Sequence, residues 1–245
     1  MPTIFTVRLG DGQAVTAARV AASSELTGAL KQLGLGGSYP TLVLVGGAGR
    51  MDPADFERLR PVFEEALVPV AQATNAVVVD GGTDSGVMRM LGQARARRGA
   101  TFPLVGVAAA ATVALEGDHS SHPDAAPLEP NHTQFLLVPG QDWGDESPWL
   151  AMVATALAGA NPSATVVING GPIVLTDVAH SVAANRPVLL VAGSGRSADL
   201  LIGALQGREV DKQAARLAAS GLLSAAGPAD QPAAVAAAVA EQLRT

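Results

Sequence analysis

Four glycine-rich turns carry the residues of this chain best suited to chemistry, and each follows an aliphatic run. They are Gly46-Gly47, Gly81-Gly82-Thr83-Asp84-Ser85-Gly86, Asn169-Gly170-Gly171 and Gly193-Ser194-Gly195-Arg196. Glycine takes backbone angles closed to other residues and leaves no Cβ in the path of a ligand. Thr83, Asp84 and Ser85 are helix-capping types, and a helix start offers N–H groups and a partial positive charge to phosphate. Arg196 follows the last turn, where a guanidinium can grip a phosphate with two parallel bonds. Each turn alone is compatible with plain strand-to-helix geometry. Together they mark a rim kept clear of side chains, suited to a flat or phosphorylated ligand.

Other residues are candidates with a bland alternative beside each. His132 ends a long polar segment just before a strand, within reach of a ligand's base or phosphate, or bonded to backbone. Asp84 and Asp177 are the carboxylates available for glycosidic cleavage; otherwise Asp84 is a helix cap and Asp177 a solvated or hydroxyl-binding residue. Trp143 follows a strand and is suited either to stacking on a base or to anchoring the core. Asp145 and Glu146 read as charges at a helix start, and Arg89, Arg95, Arg97 and Arg98 as a solvated helix face. His119 and His122 stand with Glu116, Asp118 and Asp124 in a Pro-containing stretch without fixed ligand spacing, so no metal site is expected there.

Alternating strands and helices position these turns. From Pro40 onward, apolar runs of strand length alternate with helical patterns, beginning with Thr41 to Val45 and a helix from about Pro53 to Thr74 that Pro61 and Pro69 would kink. Asp52 and Pro53 are a cap and a first-turn proline. The remaining pattern predicts strands at Val77–Val79, Leu104–Ala109, Thr133–Val138, Thr165–Ile168 and Pro187–Ala192, with helices starting near Gly86, Glu146, Pro172 and Arg196. The fold class is α/β, a Rossmann-like doubly wound and mainly parallel sheet of about six to seven strands, with the ligand crevice at the strands' C-terminal ends. Residues 1–40 read as an N-terminal hairpin and helix packed on the core, 41–207 as the nucleotide-binding domain, and 208–245 as alanine-rich helices broken at Gly227-Pro228. The segment from Glu116 to Asn131 is too long for an ordinary connection, and reads as a lid or a disordered loop.

Composition bounds the function. The chain has 245 residues, 48% hydrophobic and 16% charged, enough for a large aliphatic core. A net charge of -6 argues against nucleic acid and an anionic membrane as partners. The absence of cysteine removes disulfides, thiolate catalysis and thiolate-bound metals, and suits a cytoplasmic protein. No signal-like segment or membrane span is read in the pattern.

The motifs Gly81 to Met88, His132 to Val138, Asn169 to Pro172 and Gly193 to Leu200, in that order, resemble the SLOG superfamily, in particular its prokaryotic branch related to the N-terminal cytosolic region of TRPM channels (the LSDAT type). The resemblance implies a Rossmann-like fold over about residues 41–205 and a nucleotide-derived ligand of the ADP-ribose class, which in the channels binds this region. It places Thr83 and nearby amides on phosphate and Arg196 as its charged fork. The superfamily's phosphoribohydrolases carry PGGxGTxxE, and this chain departs from that pattern by lacking the glutamate. The expectation is a cytoplasmic binding protein or sensor for such a ligand, with no certain cofactor, and with a homodimer or an effector protein as possible partners. An N-glycosidic hydrolase and an oligomeric assembly module are the alternatives.

Overall fold

A computed structural model describes residues 1–10, 12–49, 51–115 and 122–244. The chain opens with strands Thr3–Arg8 (β1) and Ala14–Arg19 (β2), a 3-10 turn at Ser23–Glu25 and helix Leu26–Gln32 (α1). Strand Thr41–Gly46 (β3) leads to helices Pro53–Pro61 (α2) and Val68–Ala73 (α3), then strand Val77–Asp80 (β4) and helix Gly86–Arg97 (α4). Strand Leu104–Ala109 (β5) precedes two short strands, Val113–Ala114 (β6) and Ala126–Pro127 (β7), which pair with each other. Strand Gln134–Val138 (β8), helix Ser147–Ala158 (α5), strand Ser163–Ile168 (β9) and helix Pro172–Ala183 (α6) follow. The chain continues through strand Val188–Ala192 (β10), helices Arg196–Leu205 (α7) and Lys212–Ala218 (α8), strand Leu223–Pro228 (β11) and helix Pro232–Gln242 (α9).

Nine of these strands form one sheet in the order β1-β2-β8-β5-β4-β3-β9-β10-β11. Every pairing in it is parallel except β1 with β2. Strand residues alternate between two apolar cores. Val43, Val45, Val77 and Val79 face α1, α5, α6, α7 and α8, while Leu42, Leu44, Val78 and Ile168 face α2 to α4 and α9. Continuous β-branched and leucine runs are what a sheet covered on both sides demands. After β3 the chain builds outward through β4, β5 and β8, and then returns to lay β9 against the other side of β3. The order reverses at β3 and β9, so their adjacent loops part and leave a crevice at the strands' C-terminal ends.

The sheet is larger than the sequence pattern implied, for two reasons. The N-terminal hairpin pairs with β8 through Thr16 to Arg19 and so extends the main sheet at one edge. At the other edge, the alanine-rich tail contains β11 where helix was expected up to a break at Gly227-Pro228. Ala225 and Ala226 have no strand signal of their own, and the ladder with β10 shifts register there, with Gly227 at φ 127°. The long helix expected over residues 53–74 is present as a run whose middle, Val62–Leu67, winds with wider π turns between Pro61 and Pro69. Each proline removes a backbone donor and pushes on the preceding turn, and widening relieves both. Asp52 caps the run as expected, its carboxylate accepting from Asp55 N at 2.8 Å.

The glycines nearest the crevice hold chain against chain. Gly86 starts α4 at φ 47°, and a Cβ there would lie 1.9 Å from the Gly47 carbonyl oxygen and 2.6 Å from the Ala48 Cα. That contact seats α4 on the end of β3, where Val87 N donates to Gly47 O at 2.9 Å. Gly86→Ala therefore combines a positive φ with a backbone clash. It is expected to destabilise the fold by more than about 2 kcal/mol in urea denaturation, the scale of overpacking plus left-handed strain.

Candidate functional site

A cavity of about 720 Å³ opens at the β3–β9 reversal. The starts of four helices meet at it: Ser85 before α4, Glu146 before α5, Gly171 and Pro172 at α6, and Arg196 at α7. The dipoles of α4, α6 and α7 each favour negative charge at their starts, although Val87 N is already taken by Gly47 O, whereas α5 brings the Glu146 carboxyl. Aliphatic residues such as Leu44, Met88 and Ile173 supply much of the wall, and Trp143 stands at it in edge-on contact with His122, ring centres 5.7 Å apart. The returning limb of the long polar segment brings Asp124 and Ala126 to the wall, and Asp84 N donates to Pro127 O at 2.8 Å. The rest of that segment, residues 116–121 with His119, lies outside the described residues. Among the described residues no group of three or more His, Asp or Glu could hold a metal ion.

The structure divides the residues singled out from sequence. Gly46, Gly81, Thr83, Ser85, Gly171, Asp177 and Arg196 line the cavity. Gly47, Gly82, Asp84, Gly86, His132, Asn169, Gly170, Gly193, Ser194 and Gly195 are not part of its lining, and several instead build the rim. Asn169, at φ 59°, donates from Nδ2 to Ser194 O at 2.9 Å and to Asp55 Oδ2 at 3.2 Å, and its Oδ1 accepts from Gly170 N at 2.7 Å. Ser194 is fully buried, its Oγ donating to Val191 O and accepting from Asn169 N at 2.8 Å. These two side chains tie the β9 turn to the β10 turn. Asp84 is ion-paired with Arg89, Nε to Oδ1 at 2.7 Å.

Arg196 is exposed, its Nη2 lies 3.5 Å from where a Gly171 Cβ would be, and its backbone sits at φ 51°. Asp199, three residues further along α7, is engaged elsewhere, accepting from Gly193 N at 2.7 Å and Gly195 N at 3.0 Å. The guanidinium thus stands over the α6 start without an ion-pair partner among the described residues. Arg58, a residue with no sequence signal for this role, reaches the same turn and donates to Gly193 O and Ser194 O.

His132 lies beneath the rim, with no solvent exposure and no access to the cavity lining. Its Nε2 is 2.8 Å from Asp80 Oδ1 and its Nδ1 2.8 Å from Glu129 Oε2. Between two ionised carboxylates both ring nitrogens donate, which is the imidazolium form. Burial pulls its pKa down, but the charges and hydrogen bonds of Asp80 and Glu129 outweigh burial and carry it up to about 9. Asp80 Oδ1 also accepts from Gly82 N at 2.8 Å, and Glu129 N donates to Gly82 O at 2.9 Å. The central turn is therefore clamped on both sides by this network. Arg95, expected on a solvated face, is half-buried, donates to Phe102 O and Asn131 O, and faces Glu129 electrostatically. Sequence reading missed the network because Asp80 lies 52 residues from His132, and Glu129, three residues before it, stands in an irregular segment where spacing implies no contact.

With this geometry in place, comparison with known proteins is informative. The family described as SLOG in TRPM, prokaryote, matches residues 39–237. The chain belongs to this family. Among its relatives, transient receptor potential cation channel subfamily M member 2 of Mus musculus is 28% identical over 184 residues, covering 59% of this chain and 12% of the channel. The subfamily M member-like 2 channel of Nematostella vectensis is 26% identical over 181 residues, with the same coverage. The chain thus spans only 12% of the length of these curated relatives. Among the described residues, no helix is long and apolar enough to cross a membrane.

The buried imidazolium makes stability depend on pH. Its pKa rises from 6.5 to about 9 on folding, so its contribution is full below pH 6.5 and is lost as pH climbs through about 9. Urea denaturation of this SLOG protein is expected to show unfolding free energy falling over that window, by roughly 3 kcal/mol at most. His132→Asn should start from a less stable protein and show little slope there.

Proposed function

We propose that this SLOG-family chain binds a nucleotide-derived ligand with a phosphate or diphosphate at its centre, of the ADP-ribose class, and that it serves as a binding protein or sensor. One observation carries the reading: a largely apolar cavity at the sheet's reversal point is met by the starts of α4, α6 and α7, the last of them Arg196, a cation with no partner among the described residues. Anions bind at helix N-termini because unpaired N–H groups and the helix dipole both favour negative charge. The phosphates would lie between Ser85, Gly171 and Arg196, and Trp143 would offer a face to the base. The relation to TRPM channels supports the same class of ligand. Homodimerisation and an effector protein belong to this proposal as the means by which a bound ligand is read out.

The backbone of Arg196 adds support. A non-glycine residue at φ 51° costs about 1–2 kcal/mol, and such strain persists where the surroundings hold it for a purpose. Arg196→Gly removes both the strain and the guanidinium.

Isothermal calorimetry with ADP-ribose, followed by chromatography of the ligand, tests the reading. ADP-ribose should bind and be recovered intact; release of free base would instead favour the hydrolase. Arg196→Ala should weaken binding about tenfold or more, the worth of a charge-assisted bond to phosphate. Arg196→Gly should weaken it equally without lowering the melting temperature. Unchanged affinity in both variants would remove Arg196 from the site.

A further inference from the structure

The far wall of the cavity carries polar groups that the phosphate site does not use. Asp177 lies on α6, is 8% exposed, and its Oδ1 has no hydrogen-bond partner. Ser147, at the start of α5, is 1% exposed and is not itself part of the cavity lining. Its hydroxyl lies near the Asp177 carboxyl and favours the carboxylate as a hydrogen-bonding neighbour, although neither Ser147 Oγ nor Asp177 Oδ1 closes a bond of ordinary geometry. Glu146 completes the wall, with Oε2 accepting from Gly144 N at 3.0 Å. A buried polar atom left unpaired is destabilising, so an occupant that supplies a donor to Asp177 gains what the free protein forgoes.

Resting on the nucleotide reading, we propose that Asp177 and Glu146, both on the cavity wall, form a ribose-recognising subsite. It takes the cis-diol of the sugar next to the phosphates and rejects a ligand whose diol is phosphorylated or acylated. A vicinal diol offers two O–H donors side by side, which matches the two carboxyl groups of Asp177 and Glu146 on one wall. Asp177 is five residues beyond Pro172, about 7.5 Å along α6 from the end that faces phosphate, a span that one sugar ring bridges. The other charged groups on the cavity wall are Asp124 and Arg196.

Electrostatics favours a neutral occupant over a second anion. Burial, with Glu146 nearby, raises the Asp177 carboxyl to about 7, and burial likewise raises Glu146. A wall that already resists its own negative charge would repel an added phosphate, whereas a hydroxyl brings a donor and no charge.

The test compares ADP-ribose with two analogues by calorimetry on the intact protein. One is phosphorylated at the 2′-hydroxyl of the adenosine ribose, and the other is acetylated on the terminal ribose. The expected result is that one of the two, whichever blocks the sugar in the subsite, binds about tenfold or more weakly than ADP-ribose. Asp177→Asn should weaken unmodified ADP-ribose about tenfold and narrow that gap, with Glu146→Gln acting in the same direction. Equal affinity for all three ligands overturns the subsite while leaving the nucleotide reading intact. Failure of all three to bind overturns both. Because discrimination by the unaltered protein is itself the readout, a variant that misfolds does not decide the matter.

Discussion

An imidazolium buried between two carboxylates governs the geometry of this molecule's central turn. Asp80 enters from the end of β4, and Glu129 and His132, three residues apart, from the chain just before β8, so two distant parts of the chain meet in one charged network. Removing one partner from such a network leaves an uncompensated buried charge, commonly a loss of about 3–5 kcal/mol. The fold makes room for it specifically: a Cβ on Gly92 of α4 would lie 2.0 Å from Glu129 Oε2. Asp80 spends its Oδ1 on both His132 and the Gly82 amide, which links the charge network to the turn at the cavity's edge. The position of the Thr83 and Ser85 backbone is thus set from below, by groups that no ligand in the cavity would touch.

Much of the architecture was legible because burial on both faces leaves a strong imprint. Val77-Val78-Val79 and Val166-Val167-Ile168 are apolar at every position, a pattern that a parallel sheet enforces and solvent does not permit. The edges were harder to read. β11 is built from Leu223, Ser224, Ala225, Ala226, Gly227 and Pro228, small residues with little strand preference of their own, and pairing with β10 holds them extended. The β1–β2 hairpin was readable from its alternation and turn, whereas its pairing with β8 was not, since the partner strand lies more than a hundred residues away. Propensity acts locally, and sheet neighbours are chosen by the whole core.

The site was legible in kind rather than residue by residue. Glycine, serine, asparagine and threonine at strand ends suit phosphate binding and turn construction by the same chemistry, since both ask for small groups that bond to backbone. At Asn169 and Ser194 turn construction takes all the hydrogen bonds, and at Gly171 and Ser85 the cavity lining takes the residue. Arg196 was separable from sequence only through its neighbour, and the deciding fact is that Asp199 bonds two turn amides instead of the guanidinium. Glu146 illustrates the opposite error. Its place at a helix start has a sufficient local explanation, which concealed that α5 aims it at a wall shared with Asp177 on α6.

The cavity is therefore polar at its two ends for opposite reasons. At one end, helix starts and an unpaired cation favour negative charge. At the other, two neighbouring buried carboxyl groups resist a second negative charge, and Asp177 Oδ1 lacks a hydrogen-bond donor. Between them the wall is largely aliphatic, which contributes contact area but no direction. A long ligand with equal polarity at each end would fit such a cavity in either sense. A ligand with phosphate in one place and free hydroxyls in another fits in one sense only, so the separation of Arg196 from Asp177 across the start of α6 is what gives the cavity an orientation.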